Sequence, residues 1–193
     1  MTKLKEYDQK YNKLFRKLID FISETDVYCS SAKVAVKFSY VKPEISPNDR
    51  SFLNFENIRH PLIERLNDDK EYITNNISLN KNNYGILLYG INAGGKSSLL
   101  RAIGTNIILA QMGMYVSASK FNYKPFKHLL TKIGSNDDIF KGQSTFVVEM
   151  LELKNILKIS DKNSLILCDE LTAGTETSSA TGIVASTLSA LLK

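Results

Sequence analysis

The sequence contains no tryptophan and only two cysteines, and it lacks the segments that mark secreted and membrane proteins. Two cysteines, Cys29 and Cys168, are too few for a disulfide-stapled scaffold, so we expect free thiols in a reducing compartment. No apolar run approaches the ~20 residues that span a bilayer. The first 13 residues lack the apolar centre of a secretory signal. These absences predict a soluble, intracellular protein that has no membrane partner.

Glycine is absent from the first 84 residues, and the first proline is Pro43. The chain up to about Val41 therefore contains no residue that readily breaks a helix. Leu14, Leu18 and Ile22 recur at helical spacing and predict an amphipathic helix. Two interpretations are open: the helix packs on the domain that follows, or it ends a long arm of a larger protein.

The composition indicates a folded domain of ordinary character. With 43% hydrophobic and 23% charged residues over 193 positions, the chain can bury a core of roughly one domain, with a possible appendage. The net charge of +5, from 25 basic and 20 acidic residues, only weakly favours a polyanionic partner. A mixed, solvated surface is the commoner explanation of such a balance.

Strand and helix patterns alternate after residue 84, which predicts an α/β fold with a mostly parallel sheet flanked by helices. Residues 42–50 contain two prolines and are expected to form a connector. The predicted elements after it are strands Ser51–Phe55 and Tyr72–Leu79, a turn at Asn80–Asn83, strand Gly85–Tyr89, helices Ser97–Met112 and Thr145–Ile159, and strand Ser164–Cys168.

The strongest motif runs from Gly90 to Ser97 with the sequence GINAGGKS, a full match to the phosphate-binding loop. Its glycines let backbone N–H groups approach phosphate, and the following helix points its N-terminal dipole at the same anion. We expect Lys96 to contact the β- and γ-phosphates and Ser97 to ligate Mg²⁺. The residues predicted to hold ATP here are Gly90, Ile91, Asn92, Ala93, Gly94, Gly95, Lys96, Ser97 and Ser98.

A second motif is the acidic pair Asp169–Glu170, which follows the apolar run Leu165–Cys168. A buried strand that ends in two carboxylates places them at the sheet edge where α/β folds bind ligands. Together with the phosphate loop, the pair predicts that Asp169 holds Mg²⁺, usually through water. Glu170 is predicted to orient the attacking water or accept its proton.

Other candidate residues carry weaker signals. Ser144, in GQSTF at the start of a predicted helix, fits a helix cap and also an anion site, and the residues alone favour the cap. His60, beside Pro61, is expected to be structural, and His128 lies in no motif. No Cys/His spacing indicates zinc.

The combined motifs resemble the ATPase domain of MutS-type DNA mismatch-recognition proteins. The resemblance rests on RHP at 59–61, YITN at 72–75, GINAGGKSS, AQMGMYV, GQSTFVVEM and LILCDELTAGT, and it covers about Phe21 to Leu188. It implies a P-loop ATPase of the ABC type, which pairs head to head with a second MutS-like subunit in a homo- or heterodimer. The LSGGQ-like signature of ABC transporters is absent.

The resemblance also assigns roles to single residues. It implies that Ser144 faces the partner's nucleotide as a catalytic residue in trans, which reverses the preference for a cap. It implies that Tyr72 stacks on adenine and that Asn92 belongs to the phosphate loop. Residues 1–41 would be the end of a lever helix and residues 42–193 an ATPase domain incomplete at its C-terminus. Mismatched double-stranded DNA would be gripped by parts largely absent from this chain.

The sequence departs from the family pattern in two places. The family's switch histidine and helix-turn-helix dimerisation element would lie beyond Lys193, so we expect a fragment, a split gene product or a truncated form of a longer protein. The usual Gly-Arg after the acidic pair is Thr172-Ala173. The leading hypothesis is therefore an Mg-ATP-hydrolysing domain that couples nucleotide state to a DNA clamp. The alternatives are a nucleotide-gated dimerisation module without appreciable turnover, and an ABC-type ATPase of another DNA transaction such as recombination.

Overall fold

The computed structural model describes residues 2–66, 71–91, 94–133, 145–171 and 177–191. Its helices are α1 (Thr2–Phe38), α2 (Ile63–Leu66), α3 (Lys96–Gln111), α4 (Thr145–Ile159) and α5 (Thr177–Leu191). Its strands are β1 (Glu44–Ile45), β2 (Phe52–Ile58), β3 (Asn75–Leu79), β4 (Lys120–Lys124), β5 (His128–Lys132) and β6 (Ser164–Cys168). The chain divides into two compact units, Met1–Tyr40 and Val41–Lys193.

The first unit is the long helix that the missing glycines and prolines predicted. Its apolar positions Leu14, Leu18 and Ile22 are between 50% and 63% exposed. Within the described residues, no helix of the chain is both long and apolar enough to cross a membrane.

The second unit contains a four-stranded sheet in the order β1-β4-β2-β3. β4 pairs in parallel with β1 and antiparallel with β2, and β2 pairs antiparallel with β3. The pairing of β2 with β3 shifts register between Phe55 and Ile58, and Asn57 has a positive φ of 51° there. The prediction of a mostly parallel sheet is therefore wrong for this part of the chain.

A separate two-stranded sheet joins β5 and β6 in parallel. Strand–helix alternation predicts parallel pairing, and α4 does lie between these two strands in sequence. This rule does not apply to β1, β2 and β3, because these strands come before α3, the first helix of the alternating segment. The parallel prediction thus holds where its physical basis exists.

The predicted strand Gly85–Tyr89 is also wrong, because these residues form no strand in the structure. Leu87 is 83% exposed and Tyr89 is 92% exposed. A strand is stable only beside a hydrogen-bonded neighbour, and no strand in the described residues pairs with this segment. An apolar run alone is therefore not sufficient to predict a strand.

One core connects the larger sheet, α3 and β6. Leu53 and Phe55 on β2 are fully buried, and Phe55 stacks on Phe121 of β4 with ring centroids 3.7 Å apart. Ile107 on α3 and Leu167 on β6 complete this core. The alternation of buried side chains along β2 and β4 is the period expected of half-buried strands.

Candidate functional site

Two glycines of the phosphate-loop motif, Gly94 and Gly95, are required for different physical reasons. A Cβ added at Gly94 would lie 2.9 Å from the carbonyl oxygen of Ile91, so a side chain there would collide with backbone. The Gly94 N–H donates to that same oxygen at 3.1 Å. Gly95 has a φ of 88°, in the left-handed region that favours glycine. Each position therefore requires glycine by geometry.

Gly95 is also the N-cap of α3, and no side chain makes a capping hydrogen bond there. Its carbonyl oxygen accepts from the Leu99 N–H at 2.9 Å, which begins the helix. The first N–H groups of a helix have no partner within the helix and favour an anion. Ser97 and Ser98 lie half-buried in this first turn.

Lys96 reaches back over the loop that precedes it. Its Nζ donates to the carbonyl oxygens of Gly90 at 2.8 Å and Ile91 at 2.9 Å. The ammonium group therefore lies at the loop, where the motif predicts a lysine that would contact phosphate. Gly90 and Ile91 are exposed. Asn92 and Ala93, which were also predicted to hold the nucleotide, lie outside the described residues.

The acidic pair follows β6, as its apolar run predicted. The Asp169 N–H donates to the carbonyl oxygen of Lys132 at 2.7 Å, which extends the pairing of β5 with β6 by one step. Asp169 is half-buried, whereas Glu170 is exposed. Glu170 has a φ of 51°, a left-handed conformation that is uncommon for a residue with a side chain.

Packing of α3 on β6 connects the two motifs. A Cβ added at Gly104 of α3 would lie 3.2 Å from Cδ1 of Leu167, so the helix approaches the strand closely at this glycine. The structure thus places the helix that follows the phosphate loop against the strand that carries the acidic pair. Within the described residues, no hydrogen bond or ion pair joins Lys96 or Ser97 to the acidic pair.

His60 and Tyr72 lie together at the end of β2. The Nδ1 of His60 accepts from the backbone N–H groups of Leu62 at 3.2 Å and Ile63 at 3.3 Å. Burial lowers the pKa of His60. Burial raises the pKa of the half-buried Tyr72, while a hydrogen bond with the backbone of His60 opposes that rise. The expected structural role of His60 agrees with these contacts.

Asn106, which the sequence analysis did not identify, links helix α3 to the backbone beside His60. Its Nδ2 donates to the carbonyl oxygen of Arg59 at 3.0 Å, and its Oδ1 accepts from the Ser117 N–H at 2.8 Å. Asn106 and Ser117 are both fully buried. A polar residue within the apolar stretch of a predicted helix was the signal that could have found it.

Lys132 and Glu149, likewise not identified from sequence, form a buried ion pair beside the acidic pair. Lys132 Nζ lies 3.7 Å from Glu149 Oε1, and the two side chains are 5% and 3% exposed. Lys132 Nζ also donates to the carbonyl oxygen of Glu170 at 3.0 Å. The signal was a lysine that ends an apolar strand and a glutamate on the apolar face of a helix.

The remaining observations concern Ser144, the two cysteines and possible metal ligands. Ser144 lies outside the described residues, and α4 begins directly after it, at Thr145, as predicted. Cys29 and Cys168 are both free thiols, as expected, and burial raises the pKa of Cys168. Within the described part of the chain, no group of three or more His, Cys, Asp or Glu side chains converges on a possible metal position.

Similarity to known proteins covers almost the whole chain. The model of the family described as MutS domain V matches residues 86–193. The chain is 46% identical over 193 residues to a mitochondrial DNA mismatch repair protein mutS homolog of Sarcophyton glaucum, covering 98% of this chain and 20% of that protein. It is 41% identical over 176 residues to the DNA mismatch repair protein MutS of Staphylococcus haemolyticus, covering 91% of this chain and 20% of that protein. It is 39% identical over 176 residues to the DNA mismatch repair protein MutS of Bacillus subtilis, again covering 91% of this chain and 20% of that protein. The chain therefore spans about one fifth of the length of these relatives.

Proposed function

The chain belongs to the MutS family of DNA mismatch repair proteins, and on this premise we propose that it binds Mg-ATP and hydrolyses it. The proposed fold is that of a P-loop ATPase of the ABC type. The observation that carries the proposal is the geometry of the described loop residues, 90–91 and 94–96. A backbone contact requires glycine at position 94, a left-handed φ requires it at position 95, and the ammonium group of Lys96 lies over the loop.

The loop suits a polyphosphate for chemical reasons. A side chain at Gly94 would collide with the carbonyl oxygen of Ile91, so the loop requires glycine here, the residue that lets a backbone approach phosphate closely. The uncapped N-terminus of α3 supplies N–H groups and a favourable dipole. Lys96 adds a positive charge that would exchange its two carbonyl acceptors for phosphate oxygens when ATP enters. Tyr72 is the aromatic residue that we propose stacks on the adenine.

Hydrolysis requires an activated water molecule and a charge-neutralising cation. Water attacks the γ-phosphorus, the bond from that phosphorus to the bridging oxygen breaks, and ADP and phosphate leave. Glu170 orients the water or accepts its proton. Ser97 and Asp169 would hold Mg²⁺, since hydroxyl and carboxylate oxygens are its preferred ligands. When bound, the cation neutralises charge on the phosphate oxygens.

The proposed partners follow from the family. A second MutS-like subunit would complete the site, with Ser144 of each copy serving the nucleotide of the other. The relatives are DNA mismatch repair proteins by name, and we propose that this domain passes its nucleotide state to a DNA clamp outside the chain. This favours mismatch repair over another DNA transaction. A dimerisation module that binds ATP without turnover is the second candidate.

Calorimetric titration with ATP tests the binding step. Lys96→Ala removes the charged donor, and charge-assisted hydrogen bonds contribute about 1.5–3 kcal/mol, so we expect the Kd to rise roughly 10- to 100-fold. Lys158→Ala, at an exposed position late in α4, is the control and should bind as the unaltered chain does. Unchanged affinity in Lys96→Ala would contradict the phosphate-loop assignment.

Glu170→Gln separates hydrolysis from binding. The amide keeps the size of the carboxylate but cannot accept a proton, so turnover should fall by roughly 10²- to 10⁴-fold while the Kd for ATP stays the same. Phosphate release measures the turnover and calorimetry the affinity. A variant that loses affinity instead would show that the roles of the two acids are wrong. Tight binding by the unaltered chain without any turnover would favour the dimerisation module.

A further inference from the structure

The ion pair between Lys132 and Glu149 is the most deeply buried pair of opposite charges among the described residues. Lys132 is 6% exposed and Glu149 is 2% exposed. A buried ion pair contributes little to stability when compared with apolar residues of the same volume, because both charges lose their water. The function of the pair is therefore better inferred from where it lies than from its contribution to stability.

Lys132 contacts both residues of the acidic pair through different groups. Its backbone carbonyl oxygen accepts from the Asp169 N–H at 2.7 Å, and its Nζ donates to the Glu170 carbonyl oxygen at 3.0 Å. The same Nζ lies 3.7 Å from Oε1 of Glu149. One side chain thus bridges a carboxylate on α4 and the backbone just after β6.

The backbone at Glu170 needs such a contact. Its φ of 51° lies in the left-handed region, where a residue with a Cβ is strained by about 1–2 kcal/mol. This conformation persists only when surrounding contacts determine it. A charged donor held in place by Glu149 supplies one of them, and it fixes the direction in which the Glu170 side chain leaves the backbone.

We propose that Lys132 and Glu149 are positioning residues, which hold the backbone of Glu170 and link it to the first turns of α4. The inference rests on the proposed function, in which Glu170 serves the attacking water. α4 begins one residue after Ser144, and Glu149 lies in its second turn. A displacement at the start of α4 would therefore reach Glu170 through a single bridging side chain.

Two double variants test the positioning role without leaving a buried charge unpaired. Lys132→Gln with Glu149→Gln keeps polar groups that can bond to each other, but the shorter glutamine does not reach the Glu170 carbonyl oxygen. Lys132→Met with Glu149→Leu replaces the pair by apolar side chains. Circular dichroism shows which variant folds, and kcat is expressed per ATP-binding site from the calorimetric stoichiometry.

We expect kcat to fall at least tenfold in the folded double variants, while KM and the Kd for ATP change less than twofold. Lys132→Arg alone, which keeps the charge and the donors, should have a kcat within about threefold of that of the unaltered chain. A purely structural role would lower the number of binding sites and leave kcat per site unchanged. Normal kcat per site in a folded double variant overturns the proposal.

The outcome remains distinct from failure of the proposed function. If the unaltered chain turns over ATP and Lys96→Ala does not, the function stands, and the double variants alone decide the positioning role. If the unaltered chain binds no ATP, or binds it without turnover, the role of Glu170 fails and the positioning role fails with it.

Discussion

His60 uses a single ring nitrogen to accept two backbone hydrogen bonds, which requires that nitrogen to carry no proton. Burial lowers the pKa of the ring and the nearby Arg101 charge acts in the same direction, and together they outweigh a backbone hydrogen bond and the Glu64 charge, which raise it. The folded chain therefore favours neutral His60 more than the unfolded chain does. Because the folded pKa lies below the unfolded value of about 6.5, the associated stability is present above that value. It is lost as the pH falls toward the folded pKa.

We expect His60 to contribute part of the loss of stability between pH 7.5 and pH 5.5. His60→Asn is the matched variant, since its Oδ1 can accept from nearby backbone N–H groups and does not titrate. The midpoint urea concentration for unfolding should fall less over this range in His60→Asn than in the unaltered chain. Equal decreases in the two proteins would mean that His60 is not the titrating group.

Single residues were predictable where their chemistry depends on neighbours in sequence. Gly94, Gly95 and Lys96 lie within one short motif, and their backbone requirements are local. Asn106 and Lys132 were not predicted, because each contacts a backbone carbonyl far away in sequence, that of Arg59 at 47 residues and that of Glu170 at 38 residues. The partners of a buried polar side chain can be identified only when the folded structure is known.

Helix α3 approaches β6 closely at Gly104, where a Cβ would lie 3.2 Å from Cδ1 of the buried Leu167. Glycine inside a helix lowers stability by roughly 0.5–1 kcal/mol relative to alanine. The close approach explains why a small residue is nevertheless present. Gly182 on α5 offers a comparison, because a Cβ there would meet nothing within 4 Å.

Introducing valine should therefore lower the free energy of unfolding much more at Gly104 than at Gly182. Gly104→Val forces methyl groups against Leu167, and overpacking of this kind lowers the free energy of unfolding by about 1–3 kcal/mol. Gly182→Val should change the same free energy by less than about 0.5 kcal/mol, since valine is a slightly better helix former than glycine. Urea unfolding measures both variants. Equal effects at the two sites would contradict the close packing.

The elements were predictable in proportion to how local their signals are. Helix α4 and strand β6 agree with the predicted bounds, and α3 differs by one residue at each end. Strands β1, β4 and β5 were not predicted. β1 has only two residues, and the residues that it pairs with on β4 lie 78 positions further on in the sequence. The segment Gly85–Tyr89 has the apolar pattern of a strand but no described neighbour, so pattern alone overpredicted it.

At the scale of the whole molecule, the chain spans about one fifth of the relatives it matches. The proposed site needs two subunits, since the residue that completes it, Ser144, would come from the partner. Turnover should then depend on how much of the protein is paired. A site completed within one chain would show no such dependence.

We therefore expect the rate of ATP turnover per subunit to rise with protein concentration and to level off once dimers predominate. Ser144→Ala should give a flat, low rate at every concentration, because pairing then supplies no serine to the partner's nucleotide. Ser30→Ala, at an exposed position on α1, is the matched control and should follow the unaltered chain. Phosphate release across a 100-fold range of concentration, combined with sedimentation to measure the dimer fraction, makes the comparison. A rate per subunit that is constant while the dimer fraction changes would contradict the composite site, even if hydrolysis itself were rapid.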